Sequence, residues 1–91
     1  MYLHLGQETV VDSKDIIGIY DMDTSTVSKW SREFLKNAEK EGRVVNVSFE
    51  LPKSFIVCRE KKDGKETEIV YISPLSSQTL LRRTQSKQLI T

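Results

Sequence analysis

The stretch SFIVCREKKDGKETEIVYI, residues 54–72, decides how this 91-residue chain folds. Residues 54–59 and 66–72 are rich in β-branched and aromatic side chains, which suit the pleated surface of a sheet. Between them, Asp63 and Gly64 are residue types that adopt the positive φ angles of a tight hairpin turn. The stretch therefore predicts two antiparallel strands joined by a hairpin.

Further short strands are predicted upstream of this hairpin. Residues 2–6 alternate with a period of two, and residues 9–11 and 16–20 are rich in β-branched side chains. Because only short turn-like segments separate these three runs, we expect them to form an antiparallel meander. Residues 43–49 alternate in the same way and predict one more strand.

A long amphipathic helix is predicted between the meander and the strand at 43–49. Residues 23–26 are helix-capping types and Gly42 is typical of a helix C-terminus, so the helix is expected to end near Glu41. One apolar stripe with helical spacing contains Val27, Trp30, Phe34, Leu35 and Ala38. Trp30 is therefore expected in the core or in an interface between subunits.

The chain after the hairpin predicts a short second helix and a tail. Ser76 or Ser77 is the expected N-cap of a helix over residues 78–84, and residues 85–91 are expected to form a flexible C-terminal tail. The fold class is α+β, a single domain over residues 1–84 with a small, mainly antiparallel sheet. A domain of this size buries only about 60–65% of its unfolded surface, so self-association would help its stability.

Charge is balanced in total but uneven along the chain. The formal net charge is +1, which excludes a polybasic tail and an acidic disordered segment. Residues 1–24 carry five acidic side chains and one lysine, whereas residues 25–91 carry 13 basic and eight acidic side chains. Either this is the ordinary unevenness of a soluble domain, or the subunit is dipolar. In the second case, its basic face meets an anion or its acidic face meets a basic neighbour.

Catalytic and metal-binding chemistry has little support in the sequence. Cys58 is the only cysteine, which excludes an intramolecular disulfide and a cysteine-based zinc site. His4 is the only histidine, and no phosphate-binding glycine loop or nucleophile elbow is present. We therefore expect no catalytic residue, no metal and no cofactor, with Cys58 in the core. The absence of a signal peptide and of a membrane-spanning apolar run predicts a cytoplasmic protein.

Basic residues are the candidates for a binding site. The long helix places Lys29, Arg32 and Lys36 on one face, which either contacts phosphates or is an ordinary solvated face. Lys53 lies in the loop before the central hairpin. Arg82 and Arg83 follow the short helix, where they either bind nucleic acid or favour the negative end of that helix.

Four stretches of the chain resemble a family of bacterial extracellular-matrix regulatory proteins, the RemA/RemB family. They are residues 1–6, 10–21, 52–54 and 71–80, and the resemblance extends over most of residues 1–84. Ser-Pro-Leu-Ser-Ser followed by Thr-Leu, within residues 71–80, is its most specific part. The B-type members of this family are the most similar.

The resemblance implies a compact β-rich subunit, similar to LytTR-type DNA-binding domains, that assembles into a ring and regulates biofilm-matrix genes. Lys53 is the residue carried over from the family as a phosphate contact, while arginine-rich loops of the A-type members are not matched here. The predicted function is a non-enzymatic transcriptional regulator that binds double-stranded DNA as a homo-oligomer. The alternative is a ring-forming scaffold that binds a partner protein or the A-type paralogue without contacting DNA.

Overall fold

A computed structural model describes the backbone of residues 1–22 and 28–90, and the side chains of these residues as far as Thr84. The predicted capping signal at residues 23–26 and the helical position of Val27 lie outside the described residues.

Two sheets are formed by the strands of the described chain. A two-stranded antiparallel sheet, the N-terminal hairpin, consists of β1 and β2. A four-stranded sheet has the order β3-β5-β6-β4. The strands are β1 (Tyr2–Gly6), β2 (Thr9–Asp12), β3 (Ile16–Asp21), β4 (Val44–Asn46), β5 (Ser54–Lys62) and β6 (Lys65–Ser73).

The predicted central hairpin is confirmed. The strands β5 and β6 pair antiparallel along their whole length, from Ser54 opposite Ser73 to Lys62 opposite Lys65. Asp63 and Gly64 connect them with φ angles of 54° and 78°. Both values are the positive φ that a two-residue turn needs to match the twist of its strands. The two longest strands of the sheet thus follow from one local sequence signal.

The predicted N-terminal meander is wrong in its third strand. Only β1 and β2 pair with each other, whereas β3 pairs antiparallel with β5 in the larger sheet. A single 3₁₀ turn, Ser13–Asp15, separates β2 from β3, and the Asp12 carboxylate caps it by accepting from the Lys14 amide at 3.1 Å. This turn directs the chain away from the hairpin. The strand predicted at residues 43–49 is also shorter, because β4 ends at Asn46 and runs parallel to β6.

The two helices differ in length from the prediction. Helix α1 (Lys29–Lys40) has Ser28 as its N-cap and is followed by Gly42 at φ 71°, as a C-terminal glycine favours. Helix α2 (Ser77–Ile90) has 14 residues against 12 for α1. The helix predicted to be short is therefore the longer one, and its backbone continues through most of the predicted tail. Ser76 caps it by accepting from the Thr79 amide at 3.1 Å.

Elements cover both faces of the four-stranded sheet. On the first, called the α1 face, Phe55, Val57 and Val70 are buried together with Ala38 of α1. On the second, called the hairpin face, a cluster joins the sheet to the N-terminal hairpin and to α2: Leu3, Leu5, Val11, Val47, Ile56, Cys58 and Leu80. Successive β5 residues point to opposite faces, which explains why this strand is buried on both sides.

Trp30 does not lie in the core, so that part of the prediction is wrong. Its side chain is 60% exposed and stacks on Phe34 with 5.3 Å between ring centroids. Phe34, Leu35 and Ala38 form the inward side of α1. At the first turn of α1, which carries Trp30, the apolar stripe is therefore not packed on the sheet.

Candidate functional site

A stripe of basic side chains runs along the solvent side of α1. Lys29, Arg32 and Lys36, which we call the α1 basic stripe, are exposed and lie opposite the buried Ser31 and Ala38. Spacing of three and four residues places them on one helix face. Within the ranges 1–22 and 28–90, none of the three forms an ion pair. The stripe is flanked by two exposed acids, Glu33 and Glu39.

A second basic site lies on the hairpin face, where α2 passes β1. Arg82 and Arg83 border a groove of about 750 Å³, which we call the arginine groove. Its other lining residues are Tyr2, Leu3, His4, Gly6, Gln7 and Leu75. The Arg83 Nη1 donates to the His4 carbonyl at 3.3 Å, which ties this guanidinium to β1.

The charge around the arginine groove is not compensated nearby in sequence. Residues 69–91 contain no aspartate or glutamate. Neither Arg82 nor Arg83 makes an ion pair in the part of the chain that the structure describes. Two guanidinium groups beside an apolar recess form a site for an anionic group that also carries apolar surface.

Lys53 is held by contacts that involve neither Arg82 nor Arg83. Its side chain is exposed, whereas its backbone is held at the end of the sheet. The Lys53 amide donates to the Ser73 carbonyl at 2.9 Å, and the Lys53 carbonyl accepts from the Met22 amide at 2.9 Å. The position of Lys53 is thus well defined although its ammonium group is free to meet solvent or phosphate.

The five predicted DNA-contacting residues are therefore not one surface. The structure brings Arg82 and Arg83 together in the arginine groove, and it places Lys29 and Arg32 on the helix that covers the opposite face of the sheet. Lys53 lies at the end of the sheet where β5 begins. A ligand bound along the α1 basic stripe is therefore on the opposite side of the sheet from the arginine groove of the same subunit.

An apolar loop tip was missed by the sequence analysis. Phe49 is fully exposed and Leu51 is 81% exposed, in the connection between β4 and β5. Alternation of residues 43–49 indicated a strand, which would have buried one side of this segment. Pro52 was the available signal, because proline stops strand pairing and keeps the preceding residue extended.

Comparison with known proteins shows the family to which the chain belongs. Residues 2–84 match the family described as extracellular matrix regulatory protein A-like, or RemA-like. The chain belongs to this family. It is also 39% identical over 85 residues to the extracellular matrix regulatory protein B of Bacillus subtilis (strain 168), with 93% of this chain and 91% of the relative covered.

In this RemA-like protein, Cys58 and His4 do not form a reactive pair. Cys58 is buried on the hairpin face, whereas the exposed His4 alternates with Leu3 and Leu5, which point into that core. Burial, together with the nearby Asp15 carboxylate, raises the pKa of the Cys58 thiol to about 11. The thiol is thus protonated at neutral pH and is a poor nucleophile.

The described part of this RemA-like chain has neither a cluster of metal ligands nor a membrane-spanning helix. Over the described ranges 1–22 and 28–90, no three histidine, cysteine or acidic side chains gather as ligands for a metal ion. Neither α1 nor α2 has the length and apolar character needed to cross a bilayer.

Proposed function

We propose that this protein is a DNA-binding transcriptional regulator of extracellular-matrix genes that acts as a homo-oligomeric ring, without catalysis. Its place in the RemA-like family and its similarity to extracellular matrix regulatory protein B support the regulatory role. The proposed similarity to LytTR-type DNA-binding domains and to biofilm regulators comes from the sequence resemblance. The proposed site of action is the bacterial cytoplasm.

The observation that carries the DNA-binding proposal is the α1 basic stripe. Its three cations are exposed, lack ion-pair partners among the described residues and lie on one helix face. Lysine and arginine side chains in such an arrangement suit the regularly spaced phosphates of a duplex. The arginine groove is less suitable for a duplex, because its floor is an apolar recess.

Assembly into a ring makes the weakly charged α1 basic stripe sufficient for DNA binding. Glu33 and Glu39 beside the stripe reduce its field, and the chain as a whole has a net charge of only +1. A ring repeats the stripe at fixed intervals, so that binding of one subunit raises the effective concentration of DNA at the next. We propose that Lys53 adds a phosphate contact at the end of the sheet, as the family resemblance implies.

The test is a salt titration of binding to duplex DNA with a charge-matched control. Lys29→Ala/Arg32→Ala removes two cations from the stripe, and Lys61→Ala/Lys62→Ala removes two from the exposed tip of the β5–β6 hairpin. Each phosphate contact contributes about 0.9 to the slope of log affinity against log salt concentration. We expect the stripe variant to bind more weakly, with a shallower slope, and the hairpin variant to resemble the wild type.

Failure has a clear form in this experiment. Wild-type protein that does not bind duplex DNA at low salt would contradict the DNA-binding proposal and favour the alternative, a scaffold that binds a partner protein or the A-type paralogue. Equal losses in the two double variants would mean that net charge, and not the α1 stripe, determines binding.

A further inference from the structure

The tip of the connection between β4 and β5 has two apolar side chains that are largely exposed to solvent. We call residues 48–52 the Phe49 loop. Phe49 and Leu51 are 111% and 81% exposed, with the exposed Glu50 between them. Burial of apolar surface is favourable, so two exposed apolar side chains in one short loop form a strong candidate contact.

The base of the Phe49 loop is fixed to the sheet. The Val47 amide donates to the Ile72 carbonyl at 3.0 Å, and the Lys53 amide donates to the Ser73 carbonyl at 2.9 Å. At the tip, the Glu50 amide donates to the Ser48 hydroxyl at 2.9 Å. Because both ends are anchored and the tip is hydrogen-bonded, the loop needs little ordering before it docks.

The arginine groove has the complementary properties. Tyr2, Leu3 and Leu75 supply apolar lining, and the two guanidinium groups at its border have no carboxylate partner in the described chain. Its volume of about 750 Å³ falls in the range of about 300–1,000 Å³ in which clefts enclose small organic ligands. The Phe49 loop offers two apolar side chains with a carboxylate between them in the sequence. These groups are complementary to the apolar lining and the positive charge of the groove.

We infer that the Phe49 loop of one subunit docks in the arginine groove of another copy of this chain, with Glu50 paired to Arg82 and Arg83. The inference rests on the homo-oligomer in the proposed function and names its contact. Arginine and carboxylate form charge-assisted hydrogen bonds, often in pairs, and this fixes the register of the apolar contact. Arg82 and Arg83 then position a neighbour and leave DNA contacts to the α1 basic stripe and Lys53.

This occupant fits the groove better than DNA does. A duplex presents evenly spaced phosphates and would leave the apolar floor of the groove uncovered, whereas the Phe49 loop fills both parts. The loop contributes no residue to the lining of the groove, so each subunit can both donate a loop and receive one. Repetition of such a heterologous contact generates a ring when the rotation between neighbours closes, as the proposed homo-oligomer requires.

Exchange of the charges provides the test. Glu50→Arg places like charges in the contact, and Arg82→Glu/Arg83→Glu does the same from the other side. We expect each variant alone to have a solution mass near the 10.5 kDa of one chain in light scattering. In an equimolar mixture, each contact between unlike variants again pairs opposite charges, so the mixture is expected to assemble again.

Circular dichroism of each variant establishes that it folds, and Lys61→Glu/Lys62→Glu is the charge-matched control, expected to keep the wild-type mass. A monomeric wild type, an assembled Glu50→Arg variant or a mixture that stays monomeric would each overturn the inference. If Arg82→Glu/Arg83→Glu loses DNA affinity while keeping its mass, the groove binds DNA and the inference is wrong. A wild type that assembles through this contact but ignores DNA contradicts only the DNA-binding proposal.

Discussion

The two faces of the central sheet are closed in different ways. On the α1 face, the helix α1, which lies between β3 and β4 in the sequence, packs on Phe55, Val57 and Val70. On the hairpin face, Ile56 and Cys58 are covered by elements from both ends of the chain, the N-terminal hairpin and α2. One face depends on one amphipathic helix, and the other depends on contacts between residues almost eighty positions apart.

The hairpin face also contains two buried side-chain hydrogen bonds that link segments distant in the sequence. The Ser73 hydroxyl donates to the Leu5 carbonyl at 2.5 Å in the buried interior, and the Ser54 hydroxyl donates to the Leu75 carbonyl at 2.7 Å. Both serines are fully buried. A hydroxyl in such a place fixes the position of the segment it binds, because any other arrangement leaves a buried polar group unsatisfied. The terminal elements are therefore located by hydrogen bonds as well as by burial.

The largest expected effect breaks the α1 face. Phe55 is fully buried and stacks on Tyr20 with 5.0 Å between ring centroids. Phe55→Ala is expected to lower the free energy of unfolding by about 3–5 kcal/mol, measured by urea denaturation, because it leaves a cavity between the sheet and α1. Phe49→Ala makes the same chemical change at a fully exposed position and should alter it by less than about 0.5 kcal/mol.

Both phenylalanine variants are best compared in the Glu50→Arg background, where association between subunits is expected to contribute nothing. A loss of less than about 1 kcal/mol for Phe55→Ala would show that α1 contributes little to closing its face of the sheet.

An intermediate effect is expected on the hairpin face. Ser73→Ala leaves the buried Leu5 carbonyl without its donor, and the expected loss of unfolding free energy is about 1–3 kcal/mol. Faster hydrogen exchange should be confined to the amides of the N-terminal hairpin and the start of α2. Ser48→Ala removes a hydroxyl from an exposed loop, where water replaces it, and serves as the control. Equal exchange rates in wild type and Ser73→Ala would show that apolar packing alone locates the hairpin.

The same contrast explains which parts of the fold were predictable. Short-range patterns determine the β5–β6 turn, the inward residues of α1 and the serine cap of α2, and these were predicted from sequence. The partner of β3 was not, because its β-branched residues suit either sheet and the choice depends on the distant β5. The length of α2 was not either, because its last turns carry no regular apolar stripe to signal a helix.

The sequence identified the basic residues of the candidate site, but it did not show which of them the fold brings together. Composition identified Arg82 and Arg83, whereas the groove they border also needs Tyr2 and Leu75, which the fold brings in from other elements. Exposure of Phe49 and Leu51 was missed because local alternation does not report where pairing stops. Sites built from one helix were therefore visible in the sequence, and the site built between both termini was not.

The smallest expected effect is a dependence of stability on pH that involves the hairpin face. Cys58 belongs to the buried cluster of the hairpin face, whereas the four buried residues of the α1-face cluster carry no ionisable group. Because burial raises the pKa of the Cys58 thiol from 9.0 to about 11, the unfolded chain loses this proton at lower pH than the folded one. The free energy of unfolding therefore falls as pH rises through this interval, by about 1 kcal/mol between pH 9 and 10.

Urea denaturation of wild type and Cys58→Ala across pH 8–10.5 measures this difference. Other groups that titrate in the same range, including Tyr71, whose pKa is also raised by burial, contribute to both proteins and largely cancel. The wild type should lose more stability than the variant over the interval, although the variant starts lower because of its cavity. Parallel curves would mean that the Cys58 thiolate is tolerated in the folded state, so that the cluster joining both termini to the sheet admits water near β5.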